Sequence, residues 1–406
     1  MIAVFTSAGV TEMPGSGFMQ QLDRMSGSSL TPFSGVSREI LSRLSSQLVG
    51  RRETPQFAAL GYWLRPASIN RLKESFATRI PANQFPVARG TAFHLPPSNV
   101  DTIFVYSWAL SLLAGNANIV RLPSRRSPQV EWLIRALVEA LEAVGDGHRH
   151  LFCAYDVGTG LNREISLRAD LRMIWGGDAK VNEVSSDRVR PDGLSIGFPD
   201  RKSLSTIDSD AYSRLDASAR DALAERLFND IFWFDQMACG SPRVIAWIGD
   251  SVRCVDLSRD LYQRLTVVAT RKSYNVETGV ALAKFGYLND MLASGTGRTA
   301  YRLGNELSVL ELDPDVIGPP SKVMGGGMIS HVVFPRVEDV VSVVDRATQT
   351  ITHFGFEMER LVSLVEQLAK KGGFRVVPIG QALAFDTTWD GVPLLEHMTR
   401  RITLVG

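Results

Sequence analysis

The sequence contains little cysteine and little histidine. Cys153, Cys239 and Cys254 are its three cysteines among 406 residues. An odd, sparse set in a long chain is not a disulfide framework. It suits a reducing compartment, so we expect a cytoplasmic protein. The six histidines are not spaced as ligands with Cys or Asp, so we predict no metal site.

Long apolar runs and an excess of charge of one sign are also missing. The most apolar stretch, residues 103–114, is shorter than the roughly 20 residues that span a membrane, so we predict a buried helix there. The N-terminal residues MIAVFTSAGV lack the basic and apolar regions of a signal peptide. The net charge of +1 gives no basis for a nucleic-acid or anionic-membrane partner.

Two blocks of alternating helix and strand patterns follow a less regular start. Residues 1–34 show no clear period, so we expect a loosely docked arm. Strands alternating with amphipathic helices predict an α/β fold with parallel sheets and helices on their faces. The polar stretch 199–217 is the expected linker between the blocks. The main predicted elements are helices at 37–49, at 101–113 with Asp101 as the cap, from Pro128, at 217–234 and near 336–349, and strands at 118–122, 150–155, 171–175, 243–248 and 331–334.

Cys239, in FDQMACGSPR, is the first candidate for chemistry. It lies between a predicted helix and an apolar strand, and loops at the ends of elements are where reactive groups meet substrates. Its small neighbours leave room beside the sulfur. A buried structural cysteine is the alternative for this residue, and it is the reading we favour for Cys153 and Cys254.

Asn99 and a basic turn form the second candidate. Pro96-Pro97-Ser98-Asn99 puts an amide on a rigid turn, where it could donate to an oxyanion or serve only as a helix cap. Arg121, Arg125 and Arg126 follow the next strand and could hold a phosphate or form a solvated basic turn.

Gly176 and Gly177 form the third candidate. They follow a strand in IWGGDAKV, where a glycine pair permits close passage of the backbone past a dinucleotide or simply makes a turn. A GxGxxG fingerprint is absent, so a standard dinucleotide fold is not indicated.

The order of these motifs resembles the aldehyde dehydrogenase superfamily, and within it the LuxC-type acyl-CoA reductases, the long-chain fatty acyl reductases of bioluminescence systems. The resemblance lies in HLPPSNV, LLAGNANIVRLPS, FDQMACGSPR and the C-terminal VVPIGQALAF, and runs from about residue 85 to the end. It implies an aldehyde-dehydrogenase-like α/β fold. The implied segments are an N-terminal helical arm (1–80), an NADP-binding Rossmann-like domain (81–215), a catalytic domain (216–375) and a C-terminal segment returning to the core (376–406).

The resemblance also implies roles for individual residues. Cys239 is the expected nucleophile, which forms an acyl thioester, and Asn99 an oxyanion donor. The expected cofactor is NADPH, because a cation at Arg125 stands near where NAD-preferring members often carry Glu. The implied cofactor-binding residues are Arg121, Ser124, Arg125, Gly176 and Gly177.

Two departures from the superfamily pattern concern acidic residues. The stretch SIGFPDRKS, residues 195–203, has no Glu where hydrolytic dehydrogenases carry the base that activates water. Water should therefore be a poor acceptor, which favours thioester exchange over oxidation to a free acid. The ribose-holding Glu would fall near Val323. No thiol activator is evident; His331 is of interest, but an ordinary strand histidine is the stronger interpretation.

The resemblance implies NADPH-dependent reduction of a long-chain acyl-CoA or acyl-carrier thioester to an aldehyde. Reduction of a short-chain acyl-CoA or an acyl phosphate is the alternative enzyme, and a non-catalytic scaffold subunit is the alternative of another class. From the resemblance alone, we expect a homo-oligomer and a partner enzyme that activates or transfers the acyl group.

Overall fold

The computed structural model describes residues 1–51, 53–124, 126–316 and 325–406. They divide into a first unit, Met1–Asp200 with Phe385–Gly406, and a second unit, Arg201–Ala384.

The elements are numbered along the chain. Up to residue 200 they are β1 (Ile2–Thr6), β2 (Gly9–Met13), α1 (Gly15–Met25), α2 (Gly35–Val49), α3 (Pro55–Leu64), α4 (Pro66–Thr78), β3 (Gln84–Ala88), β4 (Thr91–Leu95), α5 (Ile103–Leu113), β5 (Ala117–Arg121), α6 (Pro128–Glu142), β6 (His150–Ala154), α7 (Leu161–Ser166), β7 (Leu171–Trp175), α8 (Asp178–Ser186) and β8 (Leu194–Phe198). From 201 to 384 they are β9 (Lys202–Asp208), α9 (Ser209–Ser213), α10 (Ala217–Phe232), β10 (Pro242–Ile248), α11 (Ser251–Arg271), α12 (Thr278–Ala293), β11 (Gly297–Leu303), β12 (Leu307–Leu312), β13 (Met328–Phe334), β14 (Thr348–Phe354), α13 (Met358–Leu368) and β15 (Arg375–Pro378). The last segment adds β16 (Thr388–Trp389), β17 (Val392–Pro393), α14 (Leu394–His397) and β18 (Thr399–Thr403).

The first unit contains a seven-stranded sheet in the order β2-β1-β6-β5-β4-β7-β8. Strands β4 to β8 pair in parallel, and β1 is antiparallel to β2 and β6. All residues of α5 are buried, which confirms the buried helix that the apolar run predicts. The chain passes from β4 outward to β5 and β6, then returns to β7 on the other side of β4. This reversal of strand order creates a topological switch point between β4 and β7.

The second unit contains another seven-stranded sheet, β11-β12-β13-β10-β9-β14-β15. Its pairs are parallel except for β11 with β12. Helices α10 and α11 cover one face, and their apolar residues form a core with strand residues such as Ile245 and Trp247. No helix in the described ranges is long and apolar enough to cross a membrane.

Four local predictions are wrong. Residues 1–13 form β1 and β2 rather than a loose or helical arm, and β1 pairs with β6. The stretch 199–217 does contain the boundary between the two units, between Asp200 and Arg201, but it is not a linker in structure, because it includes β9, an inner strand of the second sheet. Asp101 does not cap α5; its carboxylate accepts from Ser127, the N-cap of α6. The helix expected near 336–349 is a 3-10 stretch, Val337–Val343, followed by β14.

Candidate active site

Cys239 lies in the turn between α10 and β10. It is half-buried, whereas Cys153 and Cys254 are buried. Its carbonyl oxygen accepts a hydrogen bond of 2.7 Å from the Ser203 hydroxyl, which itself accepts from the Thr350 backbone N–H at 3.1 Å. Ser203 and Thr350 stand near the amino ends of β9 and β14. The turn with the thiol is therefore fixed to the amino edge of the second sheet.

The residue after Cys239 packs against the segment 380–382. A Cβ on Gly240 would lie 2.7 Å from the Ala382 carbonyl oxygen, so only glycine fits without a backbone shift. Asp230 of α10 holds that segment, because its carboxylate accepts from the N–H groups of Gly380 at 2.6 Å and Ala382 at 3.0 Å. Burial raises the pKa of Asp230 to about 7, although the two N–H groups and the charge of Arg375 act in the opposite direction.

Asn99 is exposed in the bend between β4 and α5. The base of this bend is held by Lys180 of α8, whose ammonium group donates to the carbonyl oxygens of Pro96 at 2.8 Å, Trp175 at 3.0 Å and Leu95 at 3.4 Å. Lys180 thus joins the carboxyl ends of β4 and β7. Burial, reinforced by the positive charge of Arg121, lowers the pKa of Lys180 to about 8.

The basic turn begins at Arg121, the last residue of β5. Its guanidinium donates to the Tyr155 carbonyl at 3.1 Å and lies 5.0 Å from the Tyr155 ring centroid. Its Nε atom is buried and has no hydrogen-bond partner among the described residues. Ser124 is exposed, and Arg126 donates to the Pro123 carbonyl at 2.8 Å. Arg125, like Val323, lies outside the described residues.

Gly176 and Gly177 lie between β7 and α8, and close neighbours explain the small size of both. A Cβ on Gly176, whose φ is 154°, would lie 2.8 Å from Cδ of Lys180; one on Gly177 would lie 3.0 Å from the Asp200 carboxylate. Asp178 and Asp200 each accept from the other's backbone N–H. Carboxylates therefore stand at the N-terminus of α8, and both glycines are closely packed within the turn.

The first unit brings together several of the residues expected at the cofactor. Arg121, Gly176 and Gly177 lie at the carboxyl edge of the sheet beside the switch point, and Asn99 lies on the loop that leaves β4 at that edge. Open α/β sheets bind nucleotides outside the carboxyl ends of their strands, at such a switch point. The guanidinium of Arg121, whose Nε has no hydrogen-bond partner within the described part of the chain, is suited to an anionic group there. Cys239 belongs to the second unit.

Lys180, Asp230 and Gln236 have positions near the candidate residues that sequence analysis does not reveal. Lys180 is four residues after Gly176 and Gln236 three before Cys239, so proximity to a motif is the signal that could have identified them. His331 is buried and bonds to the Tyr262 hydroxyl at 2.9 Å, as the ordinary interpretation of this residue predicts. Burial lowers the pKa of His331 to about 4.

Comparison with known proteins agrees with this architecture. A family model described as acyl-CoA reductase (LuxC) matches residues 70–401. A long-chain acyl-protein thioester reductase of Aliivibrio fischeri is 22% identical over 329 residues, which cover 78% of this chain and 64% of the relative. This chain therefore spans less than two thirds of that relative's length.

Two solved structures show the fold. Aldehyde dehydrogenase 21 from Physcomitrella patens, in complex with the reaction product succinate, superposes with a TM-score of 0.68 and 13% identity, covering 98% of this chain and 92% of the other. The glyceraldehyde-3-phosphate dehydrogenase GapN from Methanocaldococcus jannaschii, complexed with NADP, gives 0.66 and 12%, covering 98% and 95%. The aldehyde-dehydrogenase-like α/β fold predicted from the sequence is confirmed.

Proposed function

The chain belongs to the LuxC family of acyl-CoA reductases, and we propose that it reduces a long-chain fatty acyl thioester to the aldehyde with NADPH. The observation that carries this proposal is the half-buried position of Cys239, which supports its role as the nucleophile. Of the three thiols it is the one that is not buried, and small residues follow it in the turn. A nucleophile needs such access to its substrate.

The proposed chemistry begins with attack of the Cys239 thiolate on the carbonyl carbon of the acyl thioester. The new carbon–sulfur bond replaces the bond to CoA, which leaves as a thiolate. We propose that the Asn99 amide and the backbone N–H of Cys239 stabilise the tetrahedral oxyanion. NADPH, when bound, supplies the hydride that reduces the acyl group on the enzyme. The resulting hemithioacetal collapses to the aldehyde and returns the thiolate of Cys239.

Thioester exchange fits the residues of this chain better than hydrolysis. The segment 195–203 has no Glu, and its single carboxylate, Asp200, accepts the backbone N–H of Asp178 at 3.3 Å. A carboxylate held in this way is poorly placed to take a proton from water. CoA or a carrier thiol should therefore be a better acyl acceptor than water.

We propose that the cofactor lies at the switch point of the first unit, with Arg121, Ser124, Arg125, Gly176 and Gly177 as its binding residues. A preference for NADPH over NADH is proposed from the positive charge of Arg121, Arg125 and Arg126, because guanidinium groups suit a 2′-phosphate. Parallel assays with the two nucleotides test this preference. Equal kcat/KM values would refute it.

The decisive experiment combines intact mass with absorbance at 340 nm, using myristoyl-CoA as the acyl donor. Without NADPH, we expect an acyl adduct on Cys239 in the wild type and in Cys153→Ala, but none in Cys239→Ala. With NADPH, we expect absorbance loss and an aldehyde product. Persistent acylation of Cys239→Ala would refute the role of this residue. An acyl-carrier protein loaded with the same chain tests whether the donor is a protein thioester.

From the family resemblance, we also propose that the chain forms a homo-oligomer and that a partner enzyme transfers the acyl group. Light scattering of the purified chain tests the first. A monomer at assay concentration with full turnover would refute it.

A further inference from the structure

The backbone just before Cys239 adopts an uncommon conformation. Asp235 and Gln236 have φ values of 51° and 62°, in the left-handed region that residues other than glycine rarely adopt. Such a conformation is energetically costly and persists when its surroundings dictate it. The two residues reverse the chain after α10, so the conformation decides where the turn with the thiol begins.

The Gln236 side chain supplies the contacts that dictate this conformation. It is fully buried. Its Nε2 group donates to the carbonyl oxygens of Pro242 and Met328, both at 2.9 Å. Its Oε1 atom accepts from the N–H groups of Gly327 at 3.1 Å and Met328 at 2.9 Å. Two donors and two acceptors are thus used, which is the full hydrogen-bonding capacity of a carboxamide.

The bond from Gln236 to Pro242 closes a loop around Cys239. Residue 236 begins the turn and Pro242 is the first residue of β10, so one side chain spans the segment that holds the thiol. The other three bonds tie this loop to the backbone at the start of β13. A backbone bond of 2.8 Å from Gly326 N–H to the Asp235 carbonyl runs beside them.

The glycine segment 325–327, which contacts Gln236, is itself held in place. Lys284 is buried, and its ammonium group donates to the carbonyl oxygens of Gly326 at 2.5 Å and Asn305 at 2.6 Å. A Cβ on Gly327 would lie 2.0 Å from the Glu306 carbonyl oxygen. The segment therefore has little freedom to follow a displaced Gln236.

We propose that Gln236 is a positioning residue for Cys239, whose carboxamide closes the nucleophile loop and fixes it to the amino end of β13. This inference rests on the proposed function, in which Cys239 is the nucleophile. Gln236 itself does not touch the reacting atoms in this proposal. Its loss releases the strained backbone, and the thiol then samples positions away from the acyl carbon. Displacing a reacting group by about 1 Å can reduce a rate about 100-fold.

Gln236→Met tests the proposal, because Met keeps the length of the side chain and removes its hydrogen bonds. Asn116→Leu is the matched control. Asn116 is also a fully buried carboxamide, it bonds to Ser111, Met398 and Gly90, and it lies in the first unit. The measurement is the rate of Cys239 acylation by saturating myristoyl-CoA without NADPH, by quenched intact mass, per folded molecule.

We expect Gln236→Met to slow acylation about 100-fold, and Asn116→Leu to acylate within a few-fold of the wild type despite lower stability. Acylation of Gln236→Met at the wild-type rate would overturn the proposal, and so would equal slowing in the control. If the wild type forms no adduct, the proposed function fails. Amide hydrogen exchange at residues 236–241 then decides the positioning role, since the proposal requires faster exchange there in Gln236→Met than in the wild type.

Gln236→Glu keeps the test available if the Met variant does not fold. An ionised Glu retains both acceptors but faces the Pro242 and Met328 carbonyls without a donor, whereas its protonated form regains one O–H donor. We expect the acylation rate of this variant, relative to the wild type, to rise as pH falls from 8 to 6. A constant ratio would contradict positioning by this hydrogen bond.

Discussion

Asp230 offers a prediction in which stability and activity respond to pH in opposite directions. Burial raises the pKa of its carboxyl group from 3.8 to about 7. The folded chain therefore holds the proton more tightly than the unfolded chain. The resulting stability is fully present below about pH 4 and is lost as pH rises through about 7.

The size of the effect follows from the pKa of Asp230 in the unfolded and in the folded chain. Each unit of difference between these pKa values corresponds to about 1.4 kcal/mol of stability. The increase from 3.8 to about 7 therefore corresponds to roughly 4 kcal/mol, of which roughly 3 kcal/mol is lost between pH 5 and 8. Asp230→Asn removes this dependence. It also turns one acceptor into a donor facing the Gly380 or Ala382 N–H, a loss of about 1–3 kcal/mol that does not vary with pH.

Urea unfolding of the wild type and Asp230→Asn at pH 5, 6, 7 and 8 measures the difference. We expect the stability advantage of the wild type to shrink by roughly 3 kcal/mol across this range. Asp260→Asn is the control, because its hydrogen bonds from Tyr212 and Arg264 hold the pKa of Asp260 below its usual value, and its difference from the wild type should stay constant. An equally constant difference for Asp230→Asn would refute the reasoning. Turnover of the wild type should fall below pH 7, because a protonated Asp230 accepts only one of its two N–H groups well.

Three further substitutions have expected outcomes. Asn99→Ala should bind acyl-CoA normally and turn over about 10²–10³-fold more slowly, the typical effect of losing one oxyanion donor; steady-state kinetics with a binding titration checks both. Lys180→Met should raise KM for NADPH while Cys239 is still acylated. KM of the wild type should rise above about pH 8, because Lys180 loses its charge near its pKa of about 8, whereas KM of the variant should not change there. Gly240→Ala should slow acylation, because its Cβ would meet the Ala382 carbonyl at 2.7 Å. Gly286→Ala, which has nothing within 4 Å of the added carbon, should keep the wild-type rate.

The elements that sequence predicted well are those whose pattern reports their own burial. Helix α6 begins at Pro128 with Ser127 as its cap and buries its apolar residues at helical spacing. The segment 336–354 shows where a local pattern fails. Val337, Val340 and Val344 are at helical spacing and are buried, which favours a helix, although β-branched residues fit a helix poorly. The structure of 348–354 is decided instead by pairing with β9, which is far away in the chain.

In the candidate site, too, local sequence patterns identify some residues and not others. Cys239 and Asn99 stand in motifs that can be recognised locally. The partners of Lys180 and Gln236 are backbone atoms remote in sequence, such as the Pro96 carbonyl, 84 residues away, and the Met328 carbonyl, 92 residues away. Backbone partners leave no trace in residue type, so a sequence pattern does not contain these contacts.

A shared role at strand ends, the hydrogen bonding of backbone groups by one side chain, belongs to Lys180, Lys284 and Gln236. Where a strand gives way to a turn, backbone groups lose their ladder partners, and burial without new partners is costly. Each of these side chains satisfies several such groups at once: Lys180 bonds to three carbonyl oxygens and Gln236 to four backbone groups. The shape of a turn then depends on one residue, and since these turns lead to Asn99 and Cys239, a single substitution can displace a candidate catalytic group while leaving the strands intact.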